Sequence, residues 1–157
     1  MKYLYTALFL FQINLISAQS LKKEKMEQLD YMVGEWVGTS SSYKNGELIN
    51  QVPAFEKISY DLNKSIIVIE LNSETLKLHT IIYFDEADGT YYYNPFSENG
   101  ARKLPATFTD GRFVVQANES KRFIFEKYEE NGFREYGEEL IDGQWVKYFE
   151  DVFTNTQ

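Results

Sequence analysis

The chain predicts an all-β fold, a single antiparallel up-and-down β-barrel of about ten strands behind a short N-terminal helix. Three observations carry that expectation. Six Asn-Gly or Asp-Gly dipeptides recur along the chain, at Asn45-Gly46, Asp88-Gly89, Asn99-Gly100, Asp110-Gly111, Asn131-Gly132 and Asp142-Gly143, and such pairs supply the positive φ that tight hairpin turns require. Aromatic residues make up 17% of the sequence, with 12 Tyr and 12 Phe, side chains that suit a pleated, half-buried surface. Every connection between the β-like runs is short, so successive strands should be antiparallel neighbours. A meander of that length leaves two open edges unless it curls round and closes.

The first segment stands apart from this fold. Met1-Lys2 gives a positive start, residues 3–16 are mostly apolar, and Ser17-Ala18-Gln19 offers small residues at a cleavage point, the pattern of a secretory signal. The apolar run is shorter than the ~20 residues of a membrane span and is broken by Gln12 and Asn14. Residues 1–18 are therefore expected to be a cleaved signal peptide, residues 19–157 the barrel domain, and the protein secreted or periplasmic with no stable membrane insertion. There is no cysteine, so neither a disulfide framework nor a lipid-modified cysteine is available. Beyond the signal, Leu21, Lys25, Gln28-Leu29 and Met32 fall at helical spacing without proline. A helix over 21–32 is short enough to plug one barrel end.

The strands follow in order. Weaker breaks at Asn63-Lys64, Asn72-Ser73 and Asn118-Glu119 bring the turns to nine, and the predicted strands are about 35–43, 52–62, 65–71, 75–84, 90–96, 102–108, 112–117, 121–128, 133–140 and 144–153. The first opens with Gly34-Glu35-Trp36-Val37-Gly38. There the Trp can close the barrel base with one large apolar side chain, while the glycines let backbone pack against the indole. On the fourth strand Leu76, Leu78, Thr80, Ile82 and Phe84 form an apolar face that should line the barrel, leaving His79 on the other, mixed face. On the fifth, Tyr91, Tyr92 and Tyr93 must alternate, so one or two phenols point inward. Tyr91 and Tyr93 are candidate cavity residues able to hydrogen-bond a polar ligand group. On the last, Trp145, Lys147, Phe149, Asp151 and Phe153 share a face by strict alternation.

Charge and motifs narrow the function. Sixteen basic against 24 acidic side chains give −8, and losing Lys2 with residues 1–18 leaves 15 − 24 = −9. That balance excludes a nucleic-acid backbone or an anionic membrane surface as partner, since both need clustered Lys and Arg. No nucleophile elbow, His-Glu-x-x-His pair, phosphate-binding loop or calcium loop is present, so no catalytic residue and no metal ligand is assigned. The acidic pairs Glu129-Glu130, Glu138-Glu139 and Glu150-Asp151 each put one carboxylate on each side of a strand and read as outer-face charge.

The run Leu29-Asp30-Tyr31-Met32-Val33-Gly34-Glu35-Trp36-Val37-Gly38, followed by the hairpin series, resembles the calycin superfamily, and within it the nitrobindin-like and uncharacterised lipocalin-like secreted domains. The resemblance covers the chain beyond the signal in architecture and about ten residues in motif. It implies a barrel with an interior ligand, and a basic side chain from a late strand over the opening Trp, either Arg134 or Lys147 against Trp36. Nitrobindin-like proteins bind haem through a C-terminal histidine. The one histidine here, His79, lies on the fourth strand, so haem is not expected and no cofactor is assigned. Fatty-acid-binding proteins hold a ligand carboxylate with an Arg-x-Tyr pair, and Arg134-Glu135-Tyr136 is similar. Residues two apart share a face, making Arg134 and Tyr136 candidate cavity residues, or else Arg134 pairs with surface carboxylates.

The leading expectation is a carrier of a small, largely hydrophobic ligand, closed by Gly34, Trp36, Gly38 and Lys147, with Tyr91, Tyr93, Arg134, Tyr136 and His79 at the cavity. The alternatives are an isomerase- or dehydratase-type barrel using Tyr, Glu or His79, which needs His79 to face Glu70 or Tyr93 inside, and a filled barrel that displays its proline-containing segments, at Pro53, Pro95 and Pro105, to a protein partner.

Overall fold

The structure, a computed structural model, describes residues 21–74 and 76–157; the expected signal peptide lies outside them. Residues 21–27 are helical and a single 3-10 turn follows at Asp30–Met32. Then come β1 (Gly34–Lys44), β2 (Glu47–Asp61), β3 (Ile66–Ser73), β4 (Lys77–Asp85), β5 (Thr90–Ser97), β6 (Gly100–Ala101), β7 (Leu104–Thr109), β8 (Arg112–Asn118), β9 (Lys121–Tyr128), β10 (Gly132–Ile141) and β11 (Gln144–Asn155). Strands pair antiparallel with their neighbours in sequence, except that β6 and β7 both pair with β5, and β11 returns to β1 with Trp36 opposite Asn155 and Ser42 opposite Phe149. The result is a closed ten-stranded antiparallel barrel.

The tenfold count hides one interruption. The expected sixth strand, 102–108, starts two residues later, as β7, and the two-residue β6 precedes it; both are bonded to the same side of β5, with Phe96 opposite Ala101 and Tyr93 opposite Leu104. Arg102 and Lys103 lie between them, and the Arg102 N–H still bonds the Pro95 carbonyl at 3.1 Å. Strand β2 also starts earlier than its sequence pattern suggests, because Asn45 (φ 53°) and Gly46 (φ 81°) make the tight turn that lets exposed Glu47–Gln51 zip onto the end of β1. Asp110-Gly111 and Asp142-Gly143 likewise hold both residues at positive φ, whereas at Asn131-Gly132 it is Glu129 that takes φ 54°. Gly132 is required there for space instead: a Cβ would stand 2.1 Å from the Tyr128 carbonyl oxygen.

The helical segment closes one end of the barrel. Helix covers only part of the 21–32 span, and the buried side chains are Met26, Leu29 and Met32, each with no solvent exposure, while Leu21 is 42% exposed. Carbonyls at a helix C-terminus lack intrahelical donors. Here the tightened last turn gives Lys25 O and Met26 O the N–H groups of Gln28 and Leu29, and strand tyrosines add a second donor to each: Tyr60 Oη donates to Met26 O at 2.8 Å and Tyr91 Oη to Lys25 O at 2.7 Å. In the other direction Tyr31 Oη donates to Phe125 O at 2.8 Å. Trp36, 4% exposed, sits at this end and donates from Nε1 to Met32 O at 2.7 Å. Its ring meets Phe133 at 5.5 Å, and Phe133 stacks on both Phe125 and Phe153 with interplanar angles of 13° and 10°. Burying each such ring contributes about 2–3 kcal/mol, so this half of the interior is solid core. Among the described residues no helix is long and apolar enough to cross a membrane.

Candidate functional site

The other half of the barrel is open. Above the Phe125–Phe133–Phe153 stack, the inward positions of β10 after Phe133 are Glu135 and Gly137, and those of β11 before Phe153 are Asp151 and Phe149. Gly137 contributes no side chain, and a Cβ placed there would fall 2.2 Å from the Phe149 ring. On β1 the inward series Trp36, Gly38, Ser40, Ser42 runs from large to small. Space is left as a result: a cavity of about 570 Å³, walled by Leu71, Leu78, Pro95, Phe123, Phe125 and Phe149 and rimmed by Leu76, Asn99, Gly100 and Arg102. That volume lies within the ~300–1,000 Å³ of small-molecule pockets.

Polar groups gather at its inner end. Glu135 and Asp151 face each other on adjacent strands, Ser40 faces Asp151 from β1, and Tyr93 joins them on the cavity wall. Glu135 is 7% exposed, Asp151 3%, and Glu56, just behind them on β2, 1%. Burial pushes the Glu135 carboxyl well above the usual range, and the charges of Glu56 and Asp151 and a hydrogen bond shared with Asp151 push it further. Burial, then the Asp151 charge, moves Glu56 up to about 8. Asp151 is also raised by burial, against the opposing pull of hydrogen bonds from Ser40 and Glu135. Burial of this kind favours the neutral form of each carboxyl, and Glu135 and Asp151 share a hydrogen bond. Among the described residues, Glu56 Oε2 and Asp151 Oδ1 are buried with no hydrogen-bond partner. Thr80 Oγ1 donates to Tyr93 Oη at 3.4 Å, and burial raises the Tyr93 phenol well above its ordinary range. No group of three or more His, Cys, Asp or Glu among the described residues is arranged to hold a metal ion.

The residues expected at the site are distributed differently. Tyr93 lines the cavity, but Tyr91 lies in the core at the plug, its hydroxyl engaged by Lys25 and Gln28. The apolar face of β4 is inward over Thr80, Ile82 and Phe84, so His79 is exposed on the outside. Its register partners are Glu70 and Phe96. Arg134 and Tyr136 do share a face, and it is the outer one. Arg134 bonds Glu126, reaches Glu150 at 3.5 Å and stacks over Tyr128 and Tyr136. The intervening Glu135 is the residue that points in.

Lys147 does not cover Trp36 either. The pairing of β10 with β11 slips between Gly137 and Glu138, placing Phe149 opposite Gly137 but Lys147 opposite Glu138. One extra residue flips the face of everything beyond it. Tyr148 consequently joins the cavity wall, and Lys147 moves outside to pair with Glu150 at 2.5 Å. Of the closure glycines, Gly34 lies against the indole, where a Cβ would be 3.2 Å from the ring. Gly38 instead admits the backbone of β11, at 1.9 Å from Val152 O. The carboxyls were missed because acidic residues were read as outer-face charge. Alternation alone would have found them: Glu56 has the parity of Ala54 and Ile58, Glu135 that of Phe133, and Asp151 that of Phe153.

No family model and no curated protein sequence matches this chain. Among solved structures it is similar to a protein of unknown function from the DUF3598 family of Nostoc punctiforme, with 8% sequence identity, 83% of this chain and 98% of that chain covered, and a TM-score of 0.30.

Proposed function

We propose that this protein is a secreted or periplasmic, lipocalin-like carrier that binds one small, largely apolar molecule inside its barrel. The observation that carries the reading is the division of the interior: one half is filled by stacked aromatics and a helical plug, and the other keeps a cavity of about 570 Å³ with apolar walls and a few convergent polar groups. A barrel that served only to display loops has no need of that space. The leader-like residues 1–18 and the net charge of −8 favour a soluble extracytoplasmic carrier.

A fluorescent probe tests this directly. The neutral fluorophore N-phenyl-1-naphthylamine should brighten on binding the wild-type protein, and Leu78→Trp, which places an indole in the cavity wall, should weaken it at least tenfold while the unfolding temperature holds. Equal binding by wild type and Leu78→Trp would put the probe elsewhere and sink the reading.

A second reading has one specific observation behind it. Two raised carboxyls and a phenol in one cavity are groups that can donate and accept protons. In that reading Glu135, Asp151 and Tyr93 would act on a bound molecule, with His79 playing no part because it faces outward. Recovering the extracted ligand chemically unchanged after prolonged incubation with protein would favour the carrier.

A further inference from the structure

We propose that the molecule held in this barrel carries a basic nitrogen on an apolar body, and that its ammonium group is seated against Asp151 and Glu135 at the inner end of the cavity. The inference rests on the carrier reading and adds to it the chemical class of the ligand.

The site is an acceptor array, and among the described residues no cation lies inside the barrel beside it. Asp151 lines the cavity, is 3% exposed, and its Oδ1 has no hydrogen-bond partner among the described residues. A buried polar oxygen left in that state is destabilising, and more so once ionised, unless something supplies a donor. The nearby basic side chains are engaged elsewhere: Arg122 with Glu138, Arg134 with Glu126 and Glu150, Lys147 with Glu150, and Lys121 with Glu139, all across the outer face. Arg102 is the one cation on the cavity lining. It is exposed at the rim, and its charge acts on the phenols of Tyr93 and Tyr148.

Ligand classes separate on chemistry. An ammonium brings up to three N–H donors and a positive charge to the open oxygen of Asp151 and to Glu135, with the Ser40 and Tyr93 hydroxyls beside them. Glu135 and Asp151 share a hydrogen bond in the empty site; as the ammonium enters, one carboxyl proton leaves to solvent, one positive charge replaces another, and the net charge of the buried site is unchanged. An alcohol offers one donor and no charge. A carboxylate meets two like groups in a low-dielectric pocket, with Glu56 behind them, and is disfavoured.

Three decyl probes that differ only in the head group decide the matter by displacing N-phenyl-1-naphthylamine at pH 7. Decylamine should bind at least tenfold more tightly than decanol and a hundredfold more tightly than decanoate. Calorimetry in buffers of different ionisation enthalpy should show close to one proton released per decylamine and none per decanol. Asp151→Asn, and separately Glu135→Gln, should erase the amine preference while decanol affinity stays within about threefold, which also certifies that each variant is folded. If decanol or decanoate binds as well as decylamine, the amine inference is overturned and the carrier stands. If none of the three binds, the carrier reading falls and takes this inference with it.

Discussion

Glu56, Glu135 and Asp151 are the residues on which this interior turns, because each is almost wholly buried. Burial favours the neutral carboxyl, so the folded protein binds protons more tightly than the unfolded chain does. For Glu56, raised from the ordinary 4.5 to about 8, the stabilising contribution is complete below pH 4.5. It declines as pH climbs through that window and is gone above 8, a change on the order of a few kcal/mol. Glu56→Gln keeps the shape and cannot ionise. We expect its unfolding temperature to fall less steeply than that of the wild type between pH 5 and 8, since Glu135 and Asp151 still titrate, with the variant the more stable of the two at pH 8. Thermal melts in a series of buffers check this, and parallel curves for the two proteins would show that Glu56 does not hold its proton on folding.

At the scale of the element, what matters is which face of a strand a side chain occupies. On β10 the answer follows from simple alternation: Phe133 and Glu135 in, Arg134 and Tyr136 out. On β11 one slipped residue reverses it, sending Tyr148 in and Lys147 out. Arg134→Met should therefore leave N-phenyl-1-naphthylamine affinity within about twofold of wild type. Its cost in stability should stay near 1 kcal/mol, the range of partly exposed ion pairs; a tenfold loss of probe binding, read in the same fluorescence titration, would place the guanidinium inside. Alternation, apolar faces and turns were legible for most strands, since hydrophobic period and Asn-Gly or Asp-Gly chemistry are local properties. The slip at Tyr148 was not, because a bulge is a relation between two strands, here accommodated where Gly137 leaves room for the Phe149 ring.

For the molecule as a whole, closure is the property that everything else depends on. The ring is completed by pairing β1 with β11, the first and last strands, and Trp36 faces Asn155 across more than a hundred residues. Joining such distant segments forms few contacts until late in folding, yet without it β1 and β10 become open edges. Removing residues 144–157 deletes Asp151 and Phe153 along with the strand. We expect the shortened chain to lack a cooperative melt and to aggregate in size-exclusion chromatography, whereas a monomer with a sharp transition would mean that the remaining strands close without it.

The sequence by itself determined the number of strands, their antiparallel order, the inward face of β4 and the presence of a Trp-sealed base. Those follow from spacing, alternation and turn residues, which act over a few positions. The tertiary structure alone decided which half of the barrel is solid and which is hollow, that Arg134 and Tyr136 lie outside, and that three carboxyls from β2, β10 and β11 meet within. Alternation gives each of these acidic residues the parity of its apolar neighbours, but only closure of the sheet, which carries one face of every strand away from solvent, brings the three into one interior.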